Sequence, residues 1–402
     1  AAIAAGGDPK KIALDKRVRA MRKEIEATAA RIEQEKQRYA TQISADMIAV
    51  QTDVKLRDKF ALAEDEACYR LSIELSKPLD FVLLQSDVPM EVLDSIQLEE
   101  GGEIAGTDQG NAIVSRTVVG QSNSLLATYR VTDKSTRIEV RLRTIEGRYG
   151  NLQAYVVPKG QPKTAQAASY SIRPLSLHRR LQVVPDEVSE RVMSELRLTG
   201  SFSLAEMHSW VVMALPEVPE RVLEDEVSYV FRSTFLGTFL YASYRKGDAT
   251  FRSDNLTTLT TLKEMIGREA TQRKVQIKTA YDVKEEAVLS MLRLIDPMLS
   301  YQNSLSHKVK LIDTLKEIEQ QESDVSFLDE SYRDVLANAS TIRSEFAQMP
   351  RQLDYLINIV VDLYIDKYKF RGINVVQRLP MLDRLLRTEY SLENMLHFFS
   401  EL

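Results

Sequence analysis

Cysteine is almost missing, since the 402 residues include only Cys68. A lone thiol closes no internal disulfide and supplies no multi-cysteine metal site, so a secreted disulfide scaffold is set aside and a reducing compartment, the cytoplasm, is expected. Histidine is scarce as well: His178, His208, His307 and His397 are scattered, and none opens a metal-ligand spacing. Long apolar runs are lacking; "WVVMAL" and "INIVV" are core-sized, well short of the ~18 to 20 residues that cross a bilayer, so no transmembrane segment is expected. Neither sign of charge dominates, with 53 Lys and Arg against 58 Asp and Glu. Without a dense basic stripe to neutralise phosphates, nucleic acid is an unsuitable partner.

Chemical signatures are absent too. The sequence has no Gly-rich phosphate loop, no G-x-S-x-G elbow and no H-E-x-x-H helix. No catalytic, cofactor-binding or metal-binding set emerges, and the chain is expected not to be an enzyme. The opening "AAIAAGGDPK" lacks an initiator Met and a basic signal region, and is expected to be the edge of a larger protein.

What is present is organised. Hydrophobic residues at 44% and charged residues at 28% match folded globular chains, and the length predicts several domains. From Lys11 to about Ile48 there is no Pro or Gly, and Leu14, Val18, Met21, Ile25, Ile32 and Tyr39 follow a heptad seam interrupted at Thr28 and Glu35. That narrow stripe with charged flanks predicts a coiled-coil helix, its seam residues being the partner-binding candidates. Short alternating runs such as "ACYRLSIEL", "LLATYRV" and "LQAYVVP" then predict an antiparallel β-sandwich over 54–160. Pro158, Gly160 and Pro162 are expected to mark a domain boundary. Beyond it, "YSIRPL" opens an alternation of strands and helices that predicts a small α/β platform over 165–282. The remainder, 283–402, is helical, with breaks expected at Pro297, Pro350 and Gly372, and predicts a hairpin or small bundle. The fold class is therefore multidomain α+β: a linker at 1–10, a coiled coil at 11–49, then sandwich, platform and hairpin.

Within the platform, Ser203 and Glu206 form a capping box that starts a helix carrying His208 and Trp210. His208 has no carboxylate or second histidine at helical spacing and is expected to be structural or exposed. Trp210 packs against the core or offers an aromatic platform to a peptide. The groups "SLHRR" and "DKYKFRG" place Arg179, Arg180, Lys367, Lys369 and Arg371 near element ends, where they could meet an acidic partner or anionic lipid but otherwise form a solvated surface.

The runs "LLATYR", "IEGRYGNLQAYVVPKGQPKT", "IRPLSLH", "LTGSFSLAEMHSWVVMALPEVPE", "YRKGDATFRSDN" and "YIDKYKFRGINV", in this order, resemble the Bardet-Biedl syndrome 7 family of BBSome subunits. The resemblance covers nearly all of the chain after its first ten residues. It implies a sandwich similar to a clathrin-adaptor ear and a platform like the second half of an adaptor appendage. It also implies a coat-like complex, recruited by a small Arf-like GTPase, that moves membrane proteins to and from cilia, with locations at the cilium, ciliary base and basal body. The partners implied are the Bardet-Biedl 2 protein, through the coiled coil and ear, and the Bardet-Biedl 9 protein. Family members begin with a β-propeller that nothing before Leu14 supplies, so the chain is expected to be the C-terminal portion. By analogy with appendage platforms, Trp210 becomes a candidate peptide-binding residue. A self-contained homodimeric scaffold and a peptide-binding appendage module are the alternatives.

Overall fold

Lack of Pro and Gly after its first residue lets one helix run for 35 residues, α1 (Pro9–Ile43), in a unit of residues 1–53. Pro9 suits the first helical position, where its missing amide would be unpaired anyway. Thr28, at an interrupted seam position, turns its hydroxyl back to the Glu24 carbonyl at 2.9 Å, and Glu35 pairs with Arg38 at 3.6 Å. The computed structural model describes residues 9–43, 54–93, 111–117, 124–131, 134–160, 163–185, 190–222, 224–321, 328–348, 352–388 and 390–401. Of the expected linker 1–10, residues 1–8 lie outside them and 9–10 are helical; the coiled-coil stretch 44–49, Pro162 and the break expected at Pro350 also lie outside them.

The described residues of the second unit, Val54–Leu402, begin with nine strands. They are β1 (Leu56–Ala63), β2 (Cys68–Leu75), β3 (Leu79–Ser86), β4 (Met90–Val92), β5 (Asn111–Thr117), β6 (Leu125–Val131), β7 (Arg137–Thr144), β8 (Gly150–Pro158) and β9 (Gln166–Ile172). They form two antiparallel sheets, ordered β1-β2-β7-β4 and β5-β6-β3-β8-β9. Alternation turns Leu71, Ile73, Val140 and Leu142 of one sheet against Val82, Leu84, Ala154 and Val156 of the other, and this shared apolar layer holds the sandwich together. At Gly150 a Cβ would lie 2.4 Å from the Asp87 carboxylate, which accepts the Asn151 amide at 2.7 Å, so glycine is required there.

The domain boundary differs from the sequence expectation. β9 pairs with β8 from Val156↔Gln166 to Gly150↔Ile172, and Tyr170 and Ile172 join the sandwich core. Pro158 and Gly160 therefore belong to a connection within the sandwich, and "YSI" closes this domain instead of opening the next.

The platform comprises β10 (His178–Leu181), β11 (Ser194–Gly200), α2 (Leu204–Ala214), β12 (Glu226–Ser233), β13 (Phe239–Arg245), β14 (Asp248–Ser253), α3 (Leu256–Gln272) and β15 (Ile277–Asp282). Its sheet is ordered β10-β12-β13-β14-β11-β15 with every pair antiparallel. Both helices cover one face, joining Met207, Val211, Leu259 and Leu262 to Leu196, Leu240, Ala242 and Phe251. Local chemistry starts them. The Ser203 hydroxyl accepts the Glu206 amide at 3.2 Å while the Glu206 carboxylate accepts the Ser203 amide at 2.8 Å, and the Asn255 side chain caps α3.

The helical region contains α4 (Glu285–Gln321), α5 (Glu330–Ala337), α6 (Ala339–Gln348), α7 (Gln352–Lys369), α8 (Leu379–Thr388) and α9 (Leu392–Ser400). The break expected at Pro297 does not occur, because α4 continues through it. A proline inside a helix costs about 3 kcal/mol. Here Met291, Leu292, Ile295 and Leu299, on both sides of it, share one core with Leu356, Val360 and Leu363 of α7, which offsets that cost. The three domains of this unit also interlock: Tyr355 of α7 donates to the Thr144 carbonyl of β7 at 3.3 Å, and its ring meets Phe235 of the platform at 4.8 Å.

Candidate interaction surfaces

On α1, steps of three, four and seven residues put Val18, Met21, Ile25 and Ile32 along one stripe, and they are 43%, 54%, 65% and 57% exposed. Side chains of this size normally leave water, so the stripe is an exposed apolar surface. Leu14 and Tyr39 lie in the same helix, but their side chains are outside the described residues.

Trp210 is placed where no peptide reaches it. Its ring is 0% exposed in the platform core, edge-on to Phe202 at 6.1 Å, with the Arg273 guanidinium 5.9 Å from the ring. This corrects the peptide-platform expectation: the buried face of α2 is wider than the stripe of Leu204, Met207, Val211, Ala214 and Leu215, and takes in His208 and Trp210. His208 is held at both ring nitrogens, Nδ1 at 2.7 Å from the Tyr244 hydroxyl and Nε2 at 2.7 Å from the Pro219 carbonyl. Because a carbonyl only accepts, Nε2 carries the proton and Nδ1 accepts from the tyrosine. Cys68 is fully buried, and burial followed by the neighbouring Glu66 pushes its thiol up to about 11, which makes it a core side chain and no nucleophile.

Most of the cations singled out in the sequence are paired within the chain. Arg179 pairs with Glu64, Lys369 with Glu264, and Arg371 with Glu285. Lys367 is buried, donating to the Phe399 carbonyl at 2.7 Å, with Glu285 at 3.5 Å, and burial lowers its pKa. Arg143 escaped the sequence reading. It is buried 5.4 Å from the Phe235 ring and 5.6 Å from the Tyr355 ring, at the junction of the three domains. An arginine ending an alternating strand resembles a solvated charge, and nothing local marks it otherwise.

No described helix is long and apolar enough to cross a membrane. Among the described residues, no group of three or more His, Cys, Asp or Glu could hold a metal ion.

Comparison with known proteins gives a consistent account. Family models described as the BBS7 GAE domain, the BBS7 platform domain and the BBS7 hairpin match residues 52–170, 178–282 and 285–399 in turn. The chain is 40% identical over 391 residues to the BBSome complex member BBS7 of Mus musculus, a match covering 96% of this chain and 52% of the relative. It is 28% identical over 386 residues to the BBSome complex member bbs-7 of Caenorhabditis elegans, covering 94% and 52%. The chain thus spans about half the length of the curated relatives it matches. A solved DUF4466 family protein of Parabacteroides merdae matches with a TM-score of 0.21 and 8% identity, over 51% of this chain and 98% of that one, and carries no weight.

Proposed function

Because the chain belongs to the BBS7 family, with its GAE, platform and hairpin domains in order and homology over 96% of its length, we propose that it is a non-enzymatic assembly subunit of the BBSome. In this role it binds the Bardet-Biedl 2 protein through α1 and the GAE domain and contacts the Bardet-Biedl 9 protein. Membrane-protein cargo and the Arf-like GTPase are engaged by the whole complex, at the cilium, its base and the basal body, and from the cytoplasm.

The observation that carries this reading is the uncovered stripe of Val18, Met21, Ile25 and Ile32. A second helix laid on it removes apolar surface contributing roughly 1 kcal/mol or more per side chain. The interrupted positions Thr28 and Glu35 and the charged flanks select the partner and its register. Light scattering on the chain alone and mixed with a Bardet-Biedl 2 fragment carrying its coiled coil and ear is the test. A one-to-one complex, lost when Val18→Asp and Ile25→Asp are combined, is expected. A tight homodimer indifferent to that fragment would contradict the assignment and favour a self-contained scaffold.

A further inference from the structure

Strand β10 is shorter than the strand it pairs with. Its register covers only Val230–Ser233 of β12, ending at Leu181↔Val230. The earlier residues of β12, from Glu226 to Tyr229, pair with β13 on one side and have no strand on the other among the described residues. After Leu181 the chain leaves the sheet in a bend, with Gln182 and Val184 lining the space beside Ser228 and Tyr229, and among the described residues no strand pairs with this stretch of β12 on that side. A pocket of about 420 Å³ lies beside this gap, lined by Arg180, Leu181, Glu217, Ser228, Tyr229 and Val230 among others.

The chemistry of the pocket is lopsided. The Arg180 guanidinium sits 4.4 Å from the Tyr229 ring, and its Nε is shut from solvent with no hydrogen-bond partner among the described residues. Glu217, the carboxylate in the lining, is turned to the Arg180 main-chain amide at 3.1 Å and keeps a φ of +58, which is unfavourable for a residue with a side chain. A planar carboxylate is the group whose geometry matches the terminal nitrogens of a guanidinium. The two faces of the gap differ: Arg180 lies opposite Phe231 on the helix-covered face, while Leu181 and Val230 pair on the other.

We propose that this gap accepts an extended segment of a partner protein in which an acidic residue is flanked by apolar ones. The segment continues the sheet along β12, its carboxylate meets Arg180, and its apolar neighbours, pointing to the opposite face, meet Leu181 and Val230. Peptide docking here involves no part of α1, so its failure and the failure of helix pairing are separable.

The test uses the full chain and a fluorescent peptide of sequence Thr-Val-Glu-Val-Thr, followed by anisotropy, with Thr-Val-Gln-Val-Thr as control. Saturable binding of the glutamate peptide is expected, weaker by about tenfold or more for the glutamine peptide and for Arg180→Gln. Arg180→Lys falls between, since it keeps the charge and loses the fork. Hydrogen exchange on the same samples should slow in Glu226–Tyr229 when the glutamate peptide is added. Thermal melts matching the intact chain show that the variants fold. Equal binding of the two peptides, undiminished binding by Arg180→Gln, or no saturable binding of the glutamate peptide overturns the proposal. Binding of phosphatidylserine vesicles with Arg180 dependence, without binding of the peptide, would replace it with a lipid contact.

Discussion

Replacing Trp210 with alanine empties the centre of the platform, and the size of the effect follows from its surroundings. The ring is 0% exposed, lies edge-on to Phe202 at an interplanar angle of 63°, and has an Nε1 with no hydrogen-bond partner among the described residues. An aromatic side chain of this size buries about 150 to 250 Å², which at ~25 cal/mol per Å² corresponds to roughly 4 to 6 kcal/mol. Part of that loss is recovered by collapse around the cavity, so Trp210→Ala should destabilise the platform by about 3 to 5 kcal/mol. Trp210→Phe should cost clearly less, because no indole hydrogen bond is lost. Circular dichroism during urea unfolding measures both, and the single tryptophan supplies an independent reading in the unmutated chain. Its emission should be blue-shifted and resist acrylamide. Emission quenched as readily as free tryptophan, together with a Trp210→Ala stability within ~0.5 kcal/mol of the original, would refute the buried placement and revive a surface role.

Three further outcomes follow from particular contacts. In Gly200→Ala the new Cβ would meet the Gln276 carbonyl at 2.3 Å, so β15 should loosen from β11 and Ile277–Asp282 should exchange amide hydrogens faster; unchanged exchange would contradict the packing. Ser203→Ala removes the hydroxyl that caps α2 and should cost about 1 kcal/mol in the same unfolding assay. Burial against the platform raises the Asp366 carboxyl from 3.8 to about 7, with Thr257, Asp362, Lys369 and Glu264 around it. The folded chain then holds a proton that the unfolded chain releases, so this group erodes stability as pH climbs from about 4 to about 7. Asp366→Asn should therefore gain on the original as pH rises through that window, and a melting difference independent of pH would disprove the assignment.

Much of this architecture was legible because local signals were strong where tertiary context agreed with them. The capping box of Ser203 and Glu206 placed the start of α2, and the runs at β2, β6 and β8 alternated as half-buried strands should. Elsewhere tertiary contacts overrode the local signal. β1 has no buried residue and could be recognised only through its pairing with β2. The prolines before β9 looked like a linker although Tyr170 and Ile172 return to the sandwich. Pro297 looked like a helix end, yet apolar residues on both sides of it belong to one core. Trp210 and Arg143 show the same limit for sites: a single strand or helix does not reveal which further elements cover its flank.

Under the proposed function α1 pairs with another protein's helix, while Val54–Leu402 holds its fold by its own cores. Hydrogen exchange followed by mass spectrometry, on the chain alone and with the Bardet-Biedl 2 fragment, tests it most directly. Amides of Pro9–Ile43 should exchange rapidly in the chain alone and become protected on mixing, with the sandwich, platform and hairpin cores protected throughout. Protection of α1 already complete in the chain alone, and unaltered by the fragment at any concentration, would contradict it.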